Sequence, residues 1–414
     1  MIQAEAAFST VQARRTAWLA VGLLWVVGFL NYFDRLVISS MREPILADVP
    51  MTEAQFGLLT SVFLWVYGCA SPLCGFLGDR YSRRNIIFAS LLVWSSTTWL
   101  TGYMQSYTGL LITRALMGFS EACYIPAAAA LIADHHRGAT RSLANGLHVS
   151  GIYAGSALGG LGGFLAESVG WRAAFTLFGG AGIAYSLIII LCLSDAETGT
   201  EESGSPEIVR IGPALRTVIE SRLFLSLLLL NVLVGVSNWA IYAWGPTYLR
   251  ERFGLGLGSA GLSGTAWLQA ASFIGVVAGG IWTDRWFRRH RGARFIVPAI
   301  GYATAAPALW VFGSSDSLVV AIGALVVCGL GRGFYDGNLM PMIRTVVDGR
   351  YSATAYGLLN FTGCLAAGAT TYAAGALRDA NVDLAWVFRC AGAGLTVTAF
   401  LLFFLRQKTR KSLS

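Results

Sequence analysis

The chain has 414 residues, 55% of them hydrophobic and 13% Asp, Glu, Lys or Arg, about half the charged share of an ordinary soluble domain. Thirty Lys and Arg against 22 acidic residues leave a formal charge of +8. Long apolar runs recur from end to end, which excludes a secreted, disordered or nucleic-acid-binding protein and describes a polytopic membrane protein.

A bilayer core about 30 Å thick takes about 20 apolar helical residues. Residues 1–16 are polar with Arg14 and Arg15, and the apolar run from Ala17 is too long for a cleaved signal. It is expected to stay as the first span. Spans are predicted at 17–43, 52–78, 84–104, 107–134, 139–167 and 171–193, all within a first unit at 1–193. Residues 194–217 hold Asp195, Glu197, Glu201 and Glu202 among Gly, Ser and Pro, and read as a cytoplasmic linker. A second unit at 218–414 carries predicted spans at 221–250, 258–284, 295–312, 316–346, 351–377 and 383–406. The expected fold is an all-α membrane protein with twelve transmembrane helices in two pseudo-symmetric six-helix bundles. Lipid-exposed strands would need a closed barrel with period-2 alternation, which the sequence does not show.

Charge placement orients the chain. Loops grouped with the termini carry Arg14, Arg15, Arg80, Arg83, Arg84, Arg137, Arg141 and the run from Arg285 to Arg294. The opposite loops carry Arg42, Arg172, Arg250, Arg252 and Arg378. The positive-inside bias puts both termini in the cytoplasm, as expected for a bacterial inner (plasma) membrane. All seven cysteines fall within predicted spans and form no CxxC pair, so neither disulfide nor metal site is expected. P-loop and HExxH patterns are missing, so an enzyme or an ATP-driven pump is not expected.

The two units share a motif. Gly75, Asp79, Arg80, Arg83 and Arg84 spell G-x-x-x-D-R-x-x-R-R after span two. Gly280, Asp284, Arg285, Arg288 and Arg289 spell it again after span eight, every position offset by 205. A softer echo places Glu121 five residues before Pro126 and Asp336 five before Pro341. Internal symmetry between two six-span units marks one large class of secondary transporter. The first motif resembles the signature cytoplasmic loop of the major facilitator superfamily. Asn31-Tyr32-Phe33-Asp34-Arg35 and Arg114-x-x-x-Gly118-x-x-Glu121-Ala122 are similar to the anion:cation symporter and spinster-like families within it. The resemblance implies alternating access by a functional monomer.

Charges inside lipid are costly and mark functional candidates. Asp34 and Glu121, with Arg35 and Arg114 beside them, form a possible proton switch: protonating a carboxylate frees its Arg to hold an anion or releases a gating contact. The matching acidic residues couple protons in the resembling families. The plain alternative is a permanent salt-bridge knot. Arg332 can hold a carboxylate or phosphate bidentately, or stay paired with Asp336 four residues on. Arg35, Arg114, Arg332, Tyr124, Asn31, His148 and Asn360 are the candidate substrate contacts, and Asn231, Asn238, Trp239, Tyr242 and Trp244 form a polar-aromatic strip in span seven. The motif residues are expected to gate or to stabilise one conformation. Span five carries Gly151, Gly155, Ser156, Gly159 and Gly160, like the glycine motif of drug/proton antiporters but with Ser156 in place of its proline.

The expected function is proton-coupled symport of a small organic anion, such as a sugar acid or other carboxylate, across a lipid bilayer. Protons are the only coupling agent expected, with no cofactor and no metal. The alternatives are a spinster-like lysolipid or sphingolipid carrier, proton-coupled efflux of small molecules, and a transporter-like sensor that binds without net flux.

Overall fold

The structure, a computed structural model, describes residues 2–136, 140–195, 219–348 and 351–412. Most of the expected linker therefore lies outside the described residues, as do Arg137 and the side chain of Asp79. Every regular element among the described residues is helical. In chain order these are α1 (Ile2–Val37), α2 (Arg42–Asp48), α3 (Glu53–Arg80), α4 (Arg83–Thr101), α5 (Tyr107–Glu121), α6 (Tyr124–His135), α7 (Arg141–Leu158), α8 (Gly162–Val169) and α9 (Trp171–Cys192). Then follow α10 (Arg222–Phe253), α11 (Leu257–Phe287), α12 (Ala293–Phe312), α13 (Leu318–Asp336), α14 (Leu339–Val346), α15 (Ser352–Asp379) and α16 (Leu384–Ser412).

Helix ends follow local chemistry. Thr52 and Gln55 close a reciprocal capping box at the start of α3, and Ser82, Ser106 and Ser221 cap α4, α5 and α10, each satisfying an otherwise orphaned backbone N–H. Gly254 ends α10 at φ 66°, the left-handed conformation that costs glycine least.

Ten segments among the described residues are long and apolar enough to cross a membrane. The helices α4 and α15 are long too, but Ser, Thr and Gly dilute their apolar content. Predicted spans four and ten are each broken in two. Glu121 is the last residue of α5 and Tyr124 the first of α6, while Asp336 ends α13 and Leu339 begins α14. The cause is Pro126 and Pro341, each third in its following helix. Proline has no N–H to give the carbonyl four residues back, and it is tolerated only in a first turn. The helix must restart there.

Packing repeats along the chain. Before residue 195, α1 lies on α7, α3 on α5, and α4 on α9. After residue 219, α10 lies on α15, α11 on α13, and α12 on α16. Across the molecule α3 meets α15, and α7 meets α11. The same pairing pattern is used twice, and the cross-contacts exchange the equivalent helices.

Candidate functional site

The first cluster is buried. Glu121, held at the end of α5 by the helix break, takes a hydrogen bond from Arg35 Nε at 2.7 Å and one from Asn31 Nδ2 at 3.0 Å, both on its Oε2. Arg35 Nη2 donates back to Asn31 Oδ1 at 2.9 Å. Asn31 and Arg35 are four apart on α1, so both reach the same carboxylate from one face. Asp34 and Arg114 complete the cluster, and all five side chains are buried. Three polar atoms here have no hydrogen-bond partner among the described residues: Asp34 Oδ1, Glu121 Oε1 and Arg114 Nη2. Buried polar atoms are normally satisfied, and three orphans in one cluster single it out.

Aromatic rings enclose the two arginines. The Arg35 guanidinium lies 4.5 Å from the Tyr32 ring centre, 4.4 Å from Tyr67 and 5.3 Å from Phe63. Arg114 lies 4.9 Å from the other side of this group, at Phe63, and its Nη1 points to Met117 Sδ.

The second cluster borders a cavity. A cavity of about 210 Å³ is lined by Tyr32 from α1 and by residues of α10, α13, α14 and α15, Arg332, Asp336, Trp239, Tyr356 and Asn360 among them. Arg332 and Asp336 face each other across one helical turn at 3.2 Å, with side chains 17% and 29% exposed. Arg332 Nη1 donates to Gln269 Oε1 at 3.4 Å, and Gln269 Nε2 donates to Tyr242 Oη at 2.8 Å. The Tyr242 ring also lies 5.2 Å under the guanidinium. Tyr153, from α7, donates its hydroxyl to Asp336 Oδ2 at 3.2 Å. That bond crosses from one unit to the other.

Tyr32 joins the two clusters: it lines the cavity and stacks on Arg35, whose guanidinium holds Glu121. Of the sequence-derived contacts, Arg332 and Asn360 line the cavity, while Asn31, Arg35 and Arg114 sit in the buried cluster. Tyr124 and His148 lie elsewhere. Tyr124 Oη donates to the Leu24 carbonyl at 2.8 Å, which uses its only hydrogen, so His148 Nε2–H donates to the Tyr124 oxygen at 2.8 Å. Both side chains are buried against α1. Tyr335 and Tyr356 were not singled out in sequence, although Tyr356 stands one turn before Asn360 and Tyr335 beside Asp336. In the strip of α10, Asn231, Asn238, Trp239 and Tyr242 line the cavity, whereas Trp244 is buried and donates to the Thr371 carbonyl.

One face of the molecule is sealed. All five arginines that the sequence sets opposite the motif loops are in ion pairs: Arg42 with Glu53, Arg172 with Asp48, Arg250 with Glu43, Arg252 with Asp316, and Arg378 with both Glu53 and Glu251. Three of these arginines bridge the two units, because Arg42 also reaches Glu251 at 3.7 Å. The Asp379 carboxylate accepts from the Glu53 and Ala54 backbone N–H groups, each at 2.9 Å. Close helix approach backs this seam: a Cβ on Gly57 would lie 2.6 Å from the Thr371 carbonyl oxygen, and one on Gly261 2.5 Å from that of Gly160. On the motif-loop side no ion pair among the described residues joins the two units. There the first motif copy is tied down within its own unit: Arg83 pairs with Asp134, and Asp195 accepts from Ser82 Oγ and from the Arg84 backbone N–H. Asp284, Arg285, Arg288 and Arg289 of the second copy are exposed.

A helical membrane protein with a central polar cavity, buried charges beside it and one sealed face has the build of a carrier rather than an enzyme. Comparison with known proteins agrees: the Major Facilitator Superfamily family model matches residues 24–371, and the chain belongs to that superfamily of transporters. It is 24% identical over 408 residues to the "Probable sulfoacetate transporter SauU" of Cupriavidus necator, covering 95% of each chain. It is 25% identical over 375 residues to an "MFS-type efflux pump" of Mycolicibacterium smegmatis, covering 89% of this chain and 86% of that one. A crystal structure of a bacterial homolog of the human lysosomal transporter spinster, inward-facing and unoccupied, superposes with TM-score 0.76 at 22% identity, over 95% of this chain and 96% of that one. That likeness concerns the fold.

Proposed function

We propose that this protein is a proton-coupled symporter of a small organic anion, a sugar acid or another carboxylate or sulfonate. It works as a monomer of two six-helix bundles and twelve crossings, with both termini in the cytoplasm. The observation that carries the reading is the pairing of a buried Glu121–Arg35–Asn31 cluster with an arginine-bearing cavity through a shared wall that includes Tyr32. Charge on a carboxylate cut off from water is expensive unless matched, and protonation removes it. Both Glu121 and Asp336 end a helix, where the last carbonyls also repel negative charge.

In the cycle that follows, the cavity opens alternately to either side. With the seam open, a proton reaches Glu121 or Asp34 and an anion enters against Arg332. Neutral Glu121 loosens its hold on Arg35, which then adds positive potential behind Tyr32 and favours the anion. The loaded carrier closes its seam through Arg42, Glu53, Arg250, Glu251 and Arg378. The state seen here has that seam closed. Release to the cytoplasm follows loss of the proton, when Glu121 recaptures Arg35. The cavity volume supports a small cargo, being below the about 300–1,000 Å³ typical of drug-sized ligands. A relative over nearly the whole length bears the name of a transporter of a small organic anion.

The test uses purified protein in proteoliposomes with a pH-sensitive dye inside. Sugar acids, monocarboxylates and sulfoacetate are added singly outside, with Glu121→Gln as control. Acidification by one of them that vanishes in the variant supports the proposal. Silence across the panel, with uptake of a lysolipid instead, replaces it by the lipid-carrier reading.

A further inference from the structure

A second cavity, about 470 Å³, lies between α12 and α16. It shares no lining residue with the central cavity. Its floor is made of short side chains, Ala299, Ala303, Ala306 and Ala399, and Phe400 and Phe403 stand as walls, 73% and 47% exposed. The groove follows α12 from Ile296 to Pro307, about 16 Å at 1.5 Å per residue. That is half of a hydrocarbon core about 30 Å thick, the depth of one leaflet.

The end of the groove nearest the motif loop is cationic. Arg406 stacks on Phe403 at 5.4 Å, so one groove wall itself carries a guanidinium, whereas Arg294, at the start of α12, lies on the other face of that helix and stacks on Phe287 of α11 at 4.0 Å. The Arg406 stem crosses Gly292, where a Cβ would lie 2.9 Å from its Cγ. Arg289 and Arg291 are exposed beside it. An apolar slot one leaflet deep with arginines at its polar end has the charge and shape of a phospholipid.

We infer that the groove between α12 and α16 holds one acyl chain of an anionic phospholipid from the leaflet on the motif-loop side, with its phosphate on Arg406. A chain seated there fills the contact between α12 and α16 and so braces that edge of the second unit. Basic pockets between helices on the cytoplasmic side are suited to such headgroups.

The full chain, purified in mild detergent, is titrated with phosphatidylglycerol or phosphatidylcholine of matched chains, and bound lipid is counted by native mass spectrometry. Phosphatidylglycerol is expected to bind about tenfold or more tightly than phosphatidylcholine. That preference is expected to disappear in Arg406→Gln, and binding to fall in Ala303→Phe, where the exposed alanine admits a larger side chain without repacking. Thr396→Phe serves as a second groove-filling variant, and Arg141→Gln, away from the groove, should bind as the unsubstituted protein does. Equal binding of the two lipids, or unchanged binding in both the arginine and the groove variants, overturns the inference. So does displacement by glycerol 3-phosphate alone, which would make the site a simple anion site. None of these readouts involves transport, so they stand or fall apart from the symport proposal.

Discussion

The two acidic–arginine pairs occupy equivalent places, each carboxylate at the break of a proline-interrupted span, and they are built differently. Glu121 is paired between helices, by an arginine and an asparagine of α1, with every partner buried. Asp336 is paired within its own helix, one turn from Arg332, beside an open cavity and under a tyrosine of the opposite unit. A desolvated pair between helices makes protonation and helix contact one event. A partly exposed pair within a helix can exchange Asp336 for an incoming anion without moving the backbone. Under the proposed function the symmetric halves divide the tasks, proton coupling in the first and anion binding in the second.

This division makes ranked predictions. Arg35→Met should be the most damaging, because it leaves Glu121 buried and unpaired, a loss of about 3–5 kcal/mol in the manner of a broken buried pair. Thermal unfolding checks it, and Arg35→Met/Glu121→Leu should recover most of the loss. If the single variant melts like the parent, Glu121 is not a buried, unpaired charge. Arg332→Gln should cost about ten- to a hundredfold in anion affinity, the worth of a charge-assisted contact, with little change in melting temperature. Anion binding measured by competition decides this; unchanged affinity removes Arg332 from the site. Tyr32→Leu should weaken the link between clusters by about 0.5–2 kcal/mol, the range of a cation–π contact, and lower the number of protons moved per anion.

The seam provides the smaller effects. Gly57→Val puts a side chain against the Thr371 carbonyl and should favour the conformation open on that face, seen as greater labelling of Ser61→Cys, a position buried in the seam where the serine hydroxyl donates to the Gly368 carbonyl. The pH dependence of the seam follows from Asp379. Its desolvation opposes ionisation, but the Ala54 and Glu53 backbone N–H groups hold its carboxyl below the usual carboxylate range. A depressed folded value gives stability that is present above the unfolded value of about 3.9 and lost as pH falls through the lower folded value. Labelling at position 61 should therefore be flat from pH 5 to 8, and Asp379→Asn should raise it slightly throughout. A steep change near pH 6 would assign the seam a different titrating group.

Much of this arrangement was legible in sequence because it rests on local rules. The repeated G-x-x-x-D-R-x-x-R-R marks the equivalent loops, and the Glu121–Pro126 and Asp336–Pro341 spacings mark equivalent positions in the two units, although spans four and ten read as continuous and the breaks emerge only in the structure. Apolar length marks the spans, less clearly for α4 and α15, which are buried through small and hydroxyl-bearing residues. Helix rotation was not legible. Tyr124 stands one turn from Glu121, yet its ring turns to α1 and His148 rather than to the cavity, because the break at residues 122–123 resets the angular phase on which such spacing depends. Tyr356 and Tyr335 reach the cavity from helices whose apolar and small residues surround them evenly, so no stripe betrays the facing side. Ion-pair partners across the seam are far apart in sequence, as with Glu53 and Arg378, and only the tertiary packing joins them.

The most direct test of the division of labour is to run Glu121→Gln and Arg332→Gln side by side in proteoliposomes, with the anion that acidifies the lumen. Counterflow at equal concentrations and accumulation against a gradient are both measured. The account predicts counterflow without accumulation for Glu121→Gln, and loss of both at low anion concentration for Arg332→Gln. Full accumulation by Glu121→Gln, or undiminished counterflow by Arg332→Gln under the same conditions, would contradict it.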